Sequence, residues 1–267
     1  VIWLMPKGGF YLFAEDVAAA SKLARNKVSF LEKNPKGYFL ASMLAGIFVG
    51  FGVILISTIG GLLGDAPHTK ILMGASFGVG LSLVIMAGSE LFTGNNLVMS
   101  LGILNKAVTT SQALKLWLVC WFGNWAGSFL LALIYWASGF TAGATGTFIA
   151  NTAAAKMSLP FLQLLVRGVL CNILVCLAVW CSIRCKSESG KLIMVFWCIF
   201  AFVTSGFEHS IANMTLLSIA LLSPMGAAVS LGGYFYNILV VTLGNMLGAI
   251  LFLAIPYHMI SKQQIGK

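Results

Sequence analysis

Apolar residues occur in long, continuous runs that short polar segments separate. A membrane-spanning helix needs about 20 mostly apolar residues, and these runs reach that length. They lack the alternation of a membrane β-barrel strand, so we expect an all-α membrane protein. The runs predict six transmembrane helices: about 38–63, one beginning near Ile71, about 113–138, about 161–184, one beginning near Leu192, and about 234–260.

The segment before the first predicted span has a different pattern. Apolar side chains recur there at helical spacing, and polar side chains fill the opposite face; the apolar positions are Phe13, Val17, Ala20, Ala24, Val28 and Leu31. This is typical of an amphipathic helix on the inner membrane surface, and the alternative is a docking helix without a role in gating. We therefore divide the chain into an N-terminal amphipathic cytoplasmic segment, residues 1–35, and a six-helix transmembrane domain, residues 36–262. Residues 1–13 do not have the pattern of a cleavable signal peptide.

Composition and charge agree with this division. The chain is 59% hydrophobic and 9% charged, whereas soluble domains carry about 25% charged residues. Most of the 16 basic residues lie at the two ends and in alternate loops, and the opposite loops carry Lys70 and Lys156. Basic loops face the cytoplasm of a bacterial inner membrane, so both termini are expected there. The net charge of +9 is then a topology signal, and no nucleic-acid partner is expected.

Two predicted helices are interrupted at corresponding places. Residues 88–95 read GSELFTGN and residues 206–213 read GFEHSIAN, so both fit the pattern G-x-E-x4-N. Two further glycine motifs repeat in the same order: Gly46–Gly50 parallels Gly168–Asn172, and G-N-x-x-G occurs at 123–127 and 244–248. A duplicated unit of three spans must be inverted in its second copy. Inverted repeats with broken helices place a permeation path where the repeats meet.

Ionisable side chains at membrane depth are candidates for function. The four here are Glu90, Arg167, Glu208 and His209. Because an imidazole changes charge near neutral pH, His209 could lend a proton or a positive field to an anion. Both glutamates would repel an anion, so we expect them to accept backbone N–H bonds at the starts of the half-helices.

Other polar residues have simpler expected roles. The asparagines near the breaks are expected to satisfy backbone groups that the breaks leave free: Asn95, Asn172 and Asn213. Lys156 stands alone in an outer loop, where it either concentrates anions at a pore mouth or is a solvated charge. The six cysteines mostly lie in apolar runs without a C-x-x-C pair, so no disulfide, metal site or cofactor is expected.

The strings GSELFTGN (88–95) and SGFEHSIANM (205–214) resemble the signatures of the formate/nitrite transporter family. Residues 168–180 and 241–249 are similar to that family's fourth and sixth helices, and the resemblance covers roughly residues 12–260. It implies an aquaporin-like inverted 3+3 repeat with broken helices 2 and 5. It also implies a homopentamer in the lipid bilayer with one pore in each subunit.

The resemblance also implies roles for individual residues. His209 and Thr93 would form the central site of the pore, and Lys156 would attract anions in the outer vestibule. The polar network would comprise Asn172, Glu208, Asn213 and Glu90. The hydrophobic constrictions would be Phe77, Leu81, Leu91 and Phe202. The implied function is a channel for nitrite, hydrosulfide, formate or their conjugate acids, and the strings look closer to the nitrite and hydrosulfide branches.

Three other functions remain open from the sequence. An anion/proton symporter would use the same residues as a channel. A neutral-solute pore of the aquaporin type would be expected to carry paired Asn-Pro-Ala motifs, which this sequence lacks. An intramembrane enzyme is disfavoured, because Glu208-His209 is not part of an H-E-x-x-H motif.

Overall fold

The computed structural model describes residues 12–262, and these residues form helices and loops without a β-strand. The helices are α1 (Ala14–Lys33), α2 (Pro35–Leu63), α3 (Thr69–Leu83), α4 (Phe92–Leu104), α5 (Thr110–Ala137), α6 (Ala144–Met157), α7 (Phe161–Arg184), α8 (Glu188–Thr204), α9 (Ser210–Leu222), α10 (Leu231–Ala249) and α11 (Ile255–Ser261). A π-helical turn, Val84–Gly88, continues α3, and a second, Ile250–Ala254, joins α10 to α11.

Five helical segments of the described part are long and apolar enough to cross a membrane. They are Pro35–Leu63, Thr69–Gly88, Thr110–Ala137, Phe161–Arg184 and Leu231–Ser261. Apolar helices α8 and α9 are each shorter than these segments. The protein is therefore an all-helical membrane protein.

Several helices begin a few residues before the positions that the apolar pattern predicts. Polar capping residues cause this difference. The Asn34 side chain accepts the Gly37 N–H at 2.9 Å, so α2 begins at Pro35. Thr109 forms a capping box with Gln112, so α5 begins at Thr110.

Two short helices begin in the interior of the bundle after non-helical residues. The π turn after α3 ends at Gly88, whose φ is +81°, and the backbone is extended at Ser89 and Leu91 before α4 begins. In the second half, Gly206 has a φ of +73°, and α9 begins at Ser210. Glycine adopts such positive φ values without steric strain, which lets the chain turn sharply at both places.

Close glycine contacts hold the long helices together. The glycines of the two G-N-x-x-G motifs face neighbouring backbone: a Cβ on Gly127 of α5 would overlap the Met43 carbonyl of α2, and a Cβ on Gly248 of α10 would overlap the Val169 carbonyl of α7. Such small residues allow helix backbones to approach closely. The bundle thus contains two tightly packed pairs, α2 with α5 and α7 with α10.

Helix α1 has the amphipathic pattern expected from the sequence, but its apolar face packs on the protein. Val17 and Ala20 are buried in a cluster with Leu97 and Leu101 of α4. Of the two readings, the docking helix fits the structure and an apolar face on the membrane surface does not, because α4 and its neighbours offer this face apolar partners. Residues 1–11, which were assigned to the same segment, lie outside the described residues.

Candidate functional site

The N-termini of α4 and α9 bring Thr93 and His209 together. Thr93 lies in the first turn of α4, His209 is the N-cap residue of α9, and His209 Nε2 is 3.0 Å from Thr93 Oγ1. Both side chains are buried. The Ala212 backbone N–H donates to His209 Nδ1 at 3.1 Å. Because Nδ1 accepts this bond, the ring proton lies on Nε2, and the imidazole is neutral with its N–H directed at the threonine hydroxyl.

Glu90 lies in the non-helical stretch between Gly88 and α4 and is surrounded by side-chain donors. Lys27 Nζ is 2.7 Å from both carboxylate oxygens, the Tyr38 hydroxyl donates at 3.0 Å, and Asn95 Nδ2 donates at 2.9 Å. The expectation that Glu90 accepts backbone N–H groups of the half-helix is wrong. The cation and the two polar side chains come from α1, α2 and α4, whose packing the local sequence does not reveal.

Glu208 has an equivalent environment in the non-helical stretch between α8 and α9. Lys156 Nζ is 2.7 Å from both oxygens of Glu208, and Asn213 Nδ2 donates to it at 2.7 Å. Glu208 therefore also accepts from side chains instead of the expected backbone amides. Lys156 belongs to helix α6 and is paired, so neither its placement in a loop nor its description as an isolated charge is correct.

The backbone N–H groups at the starts of α4 and α9 are satisfied by other asparagines than those expected. Asn124 of α5 accepts the Phe92 N–H, and Asn245 of α10 accepts the Ser210 N–H, each at 2.9 Å. Asn172 donates its Nδ2 to the Thr93 carbonyl at 3.3 Å and to the Asn245 carbonyl at 2.7 Å, and both carbonyls lie within helices, so it does not satisfy a backbone group that the breaks leave free. Sequence reasoning found Asn124 and Asn245 only as members of a repeated motif.

Asn95 and Asn213 instead donate to the nearby carboxylates. Sequence reasoning counted Lys27, the partner of Glu90, only as a topology charge. Lys27 lies three residues after Ala24 and four before Leu31, and this helical spacing was the available signal that it lies beside the buried face of α1.

Two cavities lie near the central pair: His209 lines the first, and Leu91 and Gly94, on either side of Thr93 in the chain, line the second. The first, of about 510 Å³, is lined by Phe77, Phe202, His209 and Lys156 among others, and we call it the Lys156 cavity. The second, of about 410 Å³, is lined by Leu81, Leu91, Glu90 and Lys27 among others, and we call it the Lys27 cavity. The four residues expected to form constrictions thus divide between the cavities.

Aromatic rings close around the imidazole on the side of the Lys156 cavity. The rings of Phe77 and Phe202 meet edge to face with centroids 5.7 Å apart, and Phe202 stacks on His209 at 6.0 Å. Arg167, also a candidate from the sequence, lines neither of these two cavities. The Arg167 carbonyl accepts the Glu208 N–H at 3.2 Å. The backbone of Arg167 therefore helps to hold the non-helical residues before α9 in place.

A buried polar pair between two cavities, inside a bundle of apolar helices, defines a membrane channel or transporter. A sequence model described as "Formate/nitrite transporter" matches residues 14–259. The chain therefore belongs to the formate/nitrite transporter family. The resemblance that the sequence motifs indicate is confirmed.

Individual relatives agree with this assignment. The nitrite transporter NirC of Salmonella typhimurium is 41% identical over 244 residues, which are 90% of this chain and 87% of that protein. A solved structure described as an FNT family ion channel is 38% identical, has a TM-score of 0.88 and covers 92% of this chain and 98% of its own. A pentameric formate channel with formate bound is 30% identical, with a TM-score of 0.75, and covers 86% of this chain and 98% of its own.

Proposed function

We propose that this chain is a pore for small monovalent anions such as nitrite, formate and hydrosulfide in the bacterial cytoplasmic membrane. The observation that carries the proposal is the buried contact between Thr93 and His209, with His209 in the lining of the Lys156 cavity and the neighbours of Thr93, Leu91 and Gly94, in the lining of the Lys27 cavity. The similarity to a nitrite transporter and to a formate channel supports these substrates. The similarity to a pentameric channel supports a homopentamer with one pore in each subunit.

We further propose that α3 with α4, and α8 with α9, are two interrupted spans. This gives six spans over residues 36–262, arranged as two inverted units of three, with the N-terminal segment 1–35 and both termini in the cytoplasm. The matching hydrogen bonds of Asn124 and Asn245 support the internal symmetry. The placement of most basic residues at the termini and in alternate loops supports the orientation, in which the Lys27 cavity faces the cytoplasm.

The physical obstacle to permeation is the apolar lining next to the central pair. A bare anion loses many kcal/mol of hydration free energy in such a slit. The side chains of Phe77, Phe202, Leu81 and Leu91 are each 4% exposed and carry no group that would replace the lost water. The solute therefore crosses this region as its neutral conjugate acid.

His209 acts in this scheme as a neutral hydrogen-bond donor. A second ring proton on Nδ1 would break the bond from Ala212 N–H that caps α9, so the capped ring does not carry a positive charge. The Nε2–H group offers the passing solute a donor in place of Thr93 Oγ1. The proton that neutralises the anion comes from the aqueous cavities, where Lys27 and Lys156 lie beside the path.

The test is anion flux in proteoliposomes with two conservative variants. His209→Asn keeps an N-cap acceptor for α9, and Thr93→Val keeps the shape of the threonine without its hydroxyl. Both should lower the flux of nitrite, formate and hydrosulfide while the protein remains folded. If both variants keep the anion flux and its pH dependence unchanged, Thr93 and His209 have no role in permeation.

The same vesicles distinguish a neutral-acid path from an anion current. Crossing as the acid moves one proton with each anion, so an imposed pH gradient should drive accumulation, and the membrane potential should not affect the flux. The rate should also fall as the undissociated fraction falls, by about tenfold for each unit of pH. Currents that follow the anion gradient and persist at high pH would contradict this path.

A further inference from the structure

The lining of the Lys27 cavity contains a second lysine that the proposed mechanism does not use. Lys191 lies near the start of α8 and lines this cavity together with Lys27 and Glu90. Its Nζ is 3.0 Å from Glu188 Oε1, one helical turn away. The Lys191 side chain is 24% exposed and the Glu188 side chain is 65% exposed, so Lys191 lies nearer the cavity and its partner lies in solvent.

The two lysines of this cavity differ in how firmly their charge is neutralised. Lys27 contacts both oxygens of Glu90 at 2.7 Å, and both side chains of that pair are largely buried. Removing either partner of such a pair leaves an uncompensated charge, so Lys27 remains bound to Glu90. An exposed pair on one helix turn is held weakly, because water screens both charges. Lys191 can therefore exchange Glu188 for another anion at little cost.

We propose that Lys191 is the entry residue for anions at the mouth of the Lys27 cavity. A small monovalent anion arriving from that side would replace Glu188 at the Lys191 ammonium, lose part of its hydration there, and then move towards Leu81 and Leu91. This inference rests on the proposed function, and it assigns to Lys191 a role on one side of the membrane only. The Lys156 cavity, lined by Lys70 and Asp65 at its own mouth, is not affected.

The chain offers a matched control in the same loop. Lys186 is exposed and does not line the Lys27 cavity. Lys186→Gln therefore removes the same net charge from the same face of the protein without changing the cavity. Lys191→Arg keeps the positive charge at the cavity mouth.

The experiment measures initial rates of nitrite and formate entry into inside-out and right-side-out vesicles from a host without its own anion channels of this type. At low ionic strength, Lys191→Gln should raise the KM for entry from the cytoplasmic face about fivefold, because a unit charge about 4 Å from an anion in water contributes about 1 kcal/mol. The maximal rate and entry from the opposite face should not change. Lys186→Gln and Lys191→Arg should behave like the unmodified protein.

Salt provides the second readout, since screening weakens an exposed charge. The difference between Lys191→Gln and the unmodified protein should disappear at about 1 M salt, where the screening length is about 3 Å. Equal KM values for Lys191→Gln and Lys186→Gln at low salt, or a loss that persists at high salt, would overturn the entry role. If the unmodified protein itself carries no anion flux, the proposed function fails instead, so the two failures are distinguishable.

Discussion

Asn124 and Asn245 occupy equivalent positions beside the starts of α4 and α9. The Oδ1 atom of Asn124 accepts the Phe92 N–H, and that of Asn245 accepts the Ser210 N–H, each at 2.9 Å. The Nδ2 atom of each asparagine donates to two backbone carbonyls, at distances of 2.8 to 3.0 Å. One amide side chain from a neighbouring long helix thus bonds two backbone groups where each short helix begins, and its third bond, to the Ser42 or Gly168 carbonyl, joins it to another long helix.

Replacing either asparagine by leucine should destabilise the protein strongly. Asn124→Leu and Asn245→Leu leave a buried backbone N–H, that of Phe92 or of Ser210, without its partner, at about 1–3 kcal/mol. The losses should be similar, because the two bonding patterns are alike. Thermal unfolding of the detergent-purified protein measures the effect, and Asn151→Leu, at an exposed position of α6, is the control. Unchanged unfolding of both buried variants would mean that the interruptions do not depend on these amides.

Breaking the ion pair of Lys156 and Glu208 should lower the free energy of unfolding far more than breaking an ion pair at the surface. Glu208 is 2% exposed, so Lys156→Met leaves a buried carboxylate without its cation, at about 3–5 kcal/mol. Adding Glu208→Gln removes that charge and should recover much of the loss. The more exposed pair of Arg184 and Asp16 should contribute about 0–1 kcal/mol in the same double-mutant cycle. Equal coupling energies for both pairs, measured by denaturation, would contradict this assignment.

Gly127 and Gly78 both lie within helices, but replacing each by alanine should have different effects on the stability of the protein. A Cβ on Gly127 would overlap the Met43 carbonyl of α2, so Gly127→Ala should separate α2 from α5 and lower the unfolding temperature. A Cβ on Gly78 would lie 3.8 Å from the nearest heavy atom, which is ordinary contact. Gly78→Ala should be neutral or stabilising, because alanine favours helix by about 1 kcal/mol over glycine. The prediction is wrong if the two variants unfold alike.

Asn96 should be replaceable by methionine with a gain in stability. It is fully buried, and neither of its amide atoms has a hydrogen-bond partner among residues 12–262. Met214 follows Glu208 at the spacing at which Asn96 follows Glu90, and it is buried too. Asn96→Met removes unsatisfied polar groups that cost about 1–3 kcal/mol.

The neighbouring Asn95 is the control for this variant. It donates to Glu90 and to Tyr38, so Asn95→Met should destabilise the protein. Thermal unfolding and anion flux of both variants would be compared. If Asn96→Met instead lowers the unfolding temperature, the prediction is wrong, and the Asn96 amide is bonded to a group outside residues 12–262.

The sequence by itself determined the class of the protein and the places where helices α4 and α9 begin. Long apolar runs require lipid or protein around a helix, so the number of consecutive apolar residues indicates membrane spans directly. The G-x-E-x4-N motif marks both starts, because the glycine that permits a positive φ and the polar residues that follow it are local features. Thr93 and His209 were identified as partners through the family resemblance, since they are 116 residues apart.

Only the tertiary structure decided which groups these residues contact. The cations that neutralise Glu90 and Glu208 are 63 and 52 residues away in the chain, on α1 and α6. The sequence pattern does not predict either pairing. Hydrophobic spacing specifies which face of a helix is buried, but it does not specify which other helix will cover that face. The neutral form of His209 likewise follows from one backbone amide that points at Nδ1, and such a contact exists only once the chain has turned at the second interruption.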